Sequence, residues 1–239
     1  MNQSEISPAT PLSVADVVAV LRAAAPPELA EPWDSNQLIC GDPAEPVASV
    51  LLAVDPVTAV VDEAIERGAD MVITHHPLYL RGTDQVSATD PKGRSVHRLI
   101  RAGIALANAH TTLDAAHGGV AAALAAAVGL LATTPLEPNP LDPTQGIGRV
   151  GALRTPTRLR DLAVAVAAAL PDSAPGLLVG GDLDATVETV AVSGGAGDSL
   201  LAAARSAGAD AFLTADLRHH PASEHLEAGR SAKDRKSVV

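Results

Sequence analysis

The chain has 239 residues, of which 47% are hydrophobic, and a formal net charge of −11. That length supports a sizeable core in one large or two small domains, while the acidic balance disfavours a general role on polyanions, which need clustered Lys and Arg. Cys40 is the single cysteine, which excludes an internal disulfide and a thiol-rich zinc site.

The N-terminal stretch "MNQSEISPATPLS" is polar and acidic, with neither the charged nor the apolar region of a secretory leader. Ser13 then stands as an N-cap before "VADVVAVLRAAAPP", a helix stopped by its proline pair. "VASVLLAV" (47–54) is a β-branched apolar run typical of a buried strand. Next comes "PVTAVVDEAIERG", a helix with Pro56 in its first turn and Gly68 as its stop. "DMVIT" (70–74) is a second strand, "GRSVHRLIRAG" a helix ending at Gly103, and "IALANAH" (104–110) a third strand. The Ala-rich "GGVAAALAAAVG" is a further helix, and the longest apolar run, 120–132, is too short to span a bilayer. These features read as a cytoplasmic protein.

Pro and Gly thicken in "TTPLEPNPLDPTQGIG", which is read as a linker. The expected division is a first domain over 1–132, a linker over 133–148 and a second domain over 149–229. Beyond the linker, "RVGAL", "GLLVG", "VETVAVS" and "ADAFLT" read as strands. "TRLRDLAVAVAAAL" with Thr157 as N-cap, "GDSLLAAARSAG" and "PASEHLEAG" read as helices. Alternating strands and helices predict an α/β fold with mixed, mostly parallel sheets. A loose echo, "RGADMVITHH" against "AGADAFLTADLRHH", points to two similar α/β halves.

In open α/β sheets, ligands gather beyond the carboxyl ends of strands. Three groups sit there: His75 and His76; His110 and Asp114 in "HTTLD"; and Asp216, His219 and His220. The His-His-Pro stretch reads either as a polar turn or as a ligand pair. Adjacent histidines on extended backbone point to opposite sides, so they would serve two ions, or one ion and a supporting role. Pro77 holds His76 extended. With an aspartate from a neighbouring strand end, this mixed N/O set suits Zn, Mn, Fe or Ni better than calcium. "SGGAGDSL" lacks the ending of a P-loop and reads as a close backbone approach. His97 and His225 are expected on helix surfaces, and Cys40 as a small, inert, buried residue.

The ordered set "WDSNQLICGDP", "VLLAVDPVTAVVDEAIERGADMVITHHPL", "HTTLD", "GIGRVGAL" and "VAVSGGAGDSLL…GADAFLTADLRHH" resembles the GTP cyclohydrolase I type 2 homologue family, also called Nif-three-like dinuclear-metal proteins. The resemblance implies two similar α/β domains and a ring-shaped homohexamer. It further implies two divalent metal ions per subunit in a complete protein. By motif, His75, His76 and Asp114 carry over as metal ligands. His110 sits beside them as the candidate catalytic group, either moving a proton or supporting the ligands. Thr112 stands where the family usually has Asn. The implied activity is metal-dependent hydrolysis, with GTP ring opening as the named candidate and a non-catalytic metal-delivery or scaffold role as the alternative. No membrane partner is expected.

The family also supplies a His and a Glu from a later Gly/Ala-His-x-x-x-Glu motif, whereas here no His or Glu follows Glu227. The tail, 230–239, is expected to be non-native, because "DRKSVV" is what a common sequencing adapter would encode. On that reading this chain holds an incomplete ligand set, with weak or single-ion binding expected at His75, His76 and Asp114.

Overall fold

The computed structural model describes residues 11–174, 176–231 and 237–238. Two compact units divide the chain, Met1–Thr112 and Leu113–Val239. The break lies upstream of the expected linker.

The first unit opens with β1 (Leu12–Ser13) and α1 (Val14–Ala24). Ser13 caps α1 through a reciprocal pair: Asp16 N–H donates to Ser13 Oγ, and Ser13 N–H donates to Asp16 Oδ2 at 2.8 Å. Then come β2 (Leu38–Cys40), β3 (Pro46–Val47), β4 (Val50–Ala53), α2 (Thr58–Arg67), β5 (Met71–Thr74), α3 (Pro91–Ala102), β6 (Ala105–Asn108) and the short α4 (Thr111–Ala115). The run read as one strand over 47–54 is split: β3 pairs with β1, and only β4 joins the main sheet. That sheet has the order β2-β6-β5-β4, parallel except for β2.

Alternation along the strands sends Val72 and Leu106 to one face, where they pack with Val61 and Ala64 of α2 and Val96 and Leu99 of α3. Met71, Ala105 and Ala107 face the other way, onto Val14 of α1. Two-faced burial explains why β5 and β6 read as continuous apolar runs.

The second unit contains α5 (Val120–Val128), β7 (Leu131–Thr134), β8 (Glu137–Pro138), β9 (Gly146–Ile147), β10 (Arg149–Arg158), α6 (Leu159–Ala169), β11 (Thr186–Ala196), α7 (Leu201–Ser206), β12 (Ala211–Ala215), α8 (His219–Ser231) and β13 (Ser237–Val238). Its sheet order is β13-β12-β11-β10-β7, parallel through β13, β12 and β11 and antiparallel beyond. Here the expected linker is structured. β7 pairs with β10 and β8 with β9, while Ala125 of α5 joins the core built on Leu159, Leu162 and Val190. Helix α5 therefore belongs with the later strands. The expected strand over 176–180 forms only a single bridge at Gly180. Of the tail read as non-native, 232–236 and 239 lie outside the described residues.

The echo between the halves has a structural basis. In both, a left-handed glycine ends the crossover helix, Gly68 at φ 62° and Gly208 at φ 75°. The next alanine amide returns to the helix, Ala69 to Ala64 O and Ala209 to Ala204 O. The aspartate that follows accepts two successive amides, from just ahead of β4 in the first unit and from within β11 in the second. Asp70 takes Ala48 and Ser49 at 2.8 Å each; Asp210 takes Glu188 and Thr189 at 3.0 and 2.9 Å.

His225 corrects an expectation. It is 3% exposed rather than on the surface, because α8 packs its Leu226 against the Phe212 cluster, and Arg205 Nη2 donates to its Nδ1 at 3.1 Å. His97 is exposed as expected. The glycine loop after β11 is a close approach: a Cβ on Gly197 would lie 2.2 Å from Thr214 Oγ1.

Candidate metal centre

β5 delivers its histidines by ending. Their amides prolong the parallel ladder, His75 N–H to Ala53 O and His76 N–H to Val54 O. Buried Thr74 then donates its hydroxyl to His76 O at 2.8 Å, and the chain bends. Leu78, 4% exposed, plugs into the core beneath and pins the exit. This bend overturns the expectation that the two rings point to opposite sides. Their centroids lie 5.0 Å apart.

His110 arrives at the end of β6, beside β5. Its ring lies 5.1 Å from that of His75 and 5.5 Å from that of His76. One nitrogen from each of the three imidazoles falls within 4.8 Å of the others, which makes the group able to hold a metal ion. Asp114 is half-buried on α4, which begins directly after His110. His219 and His220 stack edge-on, 5.3 Å apart, on the exposed start of α8, outside this group.

Each of the three rings turns Nδ1 onto an oxygen. His75 Nδ1 lies 3.1 Å from Ala109 O, His76 Nδ1 2.6 Å from Asp55 Oδ1, and His110 Nδ1 2.7 Å from Asp34 Oδ1. A carbonyl oxygen only accepts, so His75 Nδ1 carries the proton and the lone pair sits on Nε2. Ionised carboxylates impose the same tautomer on His76 and His110. Such outer partners fix a ligating histidine's orientation and raise its basicity.

Asp34 is the most heavily built of these partners. Its side chain has no exposure. Burial pushes its carboxyl upward, but donors from Thr111, His110, Asn36 and the Ser35 amide outweigh that and hold it at about 2. Thr111 contributes both its amide, at 2.9 Å, and its hydroxyl. Asn36 donates to Asp34 at 2.7 Å and accepts the amide of His110 and the hydroxyl of Thr112. The Asp34–Asn36 segment thus clamps the His110 loop. Trp33 adds an edge contact, its ring 5.9 Å from that of His110.

Sequence reasoning missed Asp34, Asn36 and Asp55 as site residues. Asp34 and Asn36 lie in "WDSNQ", whose polar cluster between hydrophobic segments was the available signal, and Asp55 directly precedes Pro56 at the opening of α2.

Residues 12–234 match the family described as Duf34/NIF3 (NGG1p interacting factor 3). A Streptomyces coelicolor protein named GTP cyclohydrolase 1 type 2 homolog is 54% identical over 213 residues, covering 88% of this chain and 75% of that protein. A Mycobacterium tuberculosis protein of the same name is 35% identical, covering 92% of this chain and 85% of its own length. The crystal structure of a Bacillus cereus protein related to NIF3 shares the fold, with a TM-score of 0.85 at 24% identity over 95% of this chain and 86% of that one. A Staphylococcus aureus hypothetical protein superposes at 0.84 with 26% identity, over 96% and 85%. With its paired α/β units and its histidine group at the strand ends, the chain belongs to the Duf34/NIF3 family.

Proposed function

We propose that this protein is a divalent-metal-dependent hydrolase whose ion is held by His75, His76 and Asp114, with His110 as the proton-transfer group. The observation that carries the reading is the common setting of the three imidazoles, each with Nδ1 on an oxygen acceptor. The donor chemistry fits a borderline cation such as Zn, Mn, Fe or Ni. When bound, the ion supplies Lewis-acid polarisation of a substrate oxygen. The protein's own residues do the rest. His75 and His76 orient the ion, and His110, steadied by ionised Asp34, takes or returns a proton at Nε2. The name carried by the relatives makes GTP the first substrate to test. By analogy with the family resemblance, the chain assembles as a homo-oligomeric ring, which light scattering would measure. No described helix is long and apolar enough to cross a membrane.

A metal-delivery role without turnover is the second reading. It draws on the exposure of His76, whose side chain is 46% accessible and leaves an ion open to exchange. One experiment separates the two: protein loaded in turn with Zn, Mn, Fe and Ni is assayed for formate release from GTP. Turnover lost in His110→Ala while metal binding persists supports the hydrolase. Metal binding without turnover on GTP or other nucleotides favours delivery. Absence of stoichiometric metal uptake refutes both.

A further inference from the structure

Beside the imidazole group lies a cleft of about 340 Å³, within the range of small-ligand sites. One wall is formed by Asp34, Ser35 and Gln37, the other by the segment Tyr79, Arg81 and Thr83 that leaves the histidine bend. Asp34 therefore belongs to both places, its carboxylate 2.7 Å from His110 Nδ1 and its residue in the cleft wall. Although the protein carries a net charge of −11, the ionisable side chain that this cleft offers to solvent is a cation. Asp34 has no side-chain exposure and is saturated by its own donors. Arg81 is exposed, with no ion-pair or hydrogen-bond partner among the described residues. Lys92 adds positive charge behind the same wall, its Nζ 5.8 Å from the centre of the Tyr79 ring.

A neutral donor accompanies the charge. Ser35 Oγ accepts from Gln37 Nε2 at 3.3 Å, which leaves its own O–H to donate. The hydroxyl of Tyr79 is buried with no hydrogen-bond partner among the described residues. Buried polar atoms of this kind are uncommon in folded proteins. A guanidinium fork, with the Ser35 hydroxyl on the facing wall, matches the planar or tetrahedral oxygens of a carboxylate or a phosphate.

We infer that the cleft between residues 34–37 and 79–83 is the substrate-recognition subsite, in which Arg81 binds an oxyanion group while the reacting end of the same molecule sits at the imidazoles. The subsite rests on the metal-centre reading for its role, but its binding chemistry stands apart from the ion. Inorganic phosphate and succinate, titrated calorimetrically into metal-free protein at low ionic strength, provide the test. Saturable binding is expected, weakened at least tenfold in Arg81→Gln and by less in Arg81→Lys, and unchanged in His75→Ala. Stronger binding of phosphate assigns a phosphoester substrate; stronger binding of succinate assigns a carboxylic acid. Equal affinities in Arg81→Gln and wild type would overturn the inference, as would no saturable binding of either probe. So would binding that disappears in His75→Ala, because the anion would then lie among the imidazoles. Metal titration of Arg81→Gln keeps the two readings apart: wild-type uptake there leaves the metal centre standing whatever the anion results.

Discussion

Asp34→Asn offers the sharpest test of how this site is held. The side chain is fully buried and accepts from His110, Asn36, the Ser35 amide, and both the amide and hydroxyl of Thr111. Asn keeps the shape but removes the charge and turns an NH₂ toward groups that are themselves donors. The carboxyl is held at about 2 against an ordinary 3.8, which at about 1.4 kcal/mol per pH unit corresponds to about 2 kcal/mol of stability. Because the folded value is the lower one, this stabilisation is fully present above about pH 4 and is lost as the pH falls through about 2. Urea unfolding of metal-free protein should therefore show Asp34→Asn less stable by about 2 kcal/mol at pH 7, with the gap narrowing as the pH is lowered from about 4 toward 2. Trp33, the chain's single tryptophan, lies 5.9 Å from His110 and reports on this unit through its emission. The same variant should bind metal about 10–100-fold more weakly, as is typical when a supporting partner is lost. Unfolding curves that coincide at pH 7, or a gap that persists unchanged at low pH, would refute the account of Asp34.

Other substitutions probe separate parts of the argument. His75→Ala and His76→Ala should each weaken metal binding beyond the roughly 10–100-fold of a supporting residue, read by competition with a chromophoric chelator. Asp55→Asn should fall near the lower end, about tenfold, because the His76 and Asp55 side chains are 46% and 55% exposed; a loss as large as that of His76→Ala would be inconsistent with this. Arg149→Met removes a buried guanidinium that donates to the carbonyls of Gly146, Gly148, Ala115 and Ala116. Stranding those acceptors should cost about 3 kcal/mol and lower the Tm by several degrees, so an unchanged melting curve would count against the network. Phe212→Ala, at a position 1% exposed in the second unit's core, should cost about 3–5 kcal/mol. Faster amide exchange in β11 and β12 is the readout, and wild-type protection there would contradict the packing described.

Much of the frame was legible because it is local. Ser13, Gly68 and Gly103 punctuate helices through capping and left-handed geometry that neighbouring residues alone determine. The apolar runs at β5 and β6 could be recognised because both faces are covered. The histidines could be found as strand-end residues, since the position of a strand's end follows from where its apolar run stops.

What tertiary structure decided are relations between segments distant along the chain. Whether residues 120–134 belong to the first or the second unit depends on which core α5 and β7 complete, and both complete the second. His225 carries a polar side chain on a largely polar helix, so only the packing of α8, through Leu226, against the Phe212 cluster makes it a buried partner of Arg205. The convergence of His75 and His76 needed the bend set by Thr74, a hydrogen bond that residue type does not announce. Asp34 is the plainest case. Its sequence marks a polar loop, and it becomes the anchor of His110 only because β2 pairs beside β6 and brings residues 34–36 onto the strand end where the imidazoles gather. The sequence by itself determined the family and which histidines stand at strand ends. Long-range pairing of strands decided which carboxylates hold them, because a hydrogen bond between residues so far apart has no local signature.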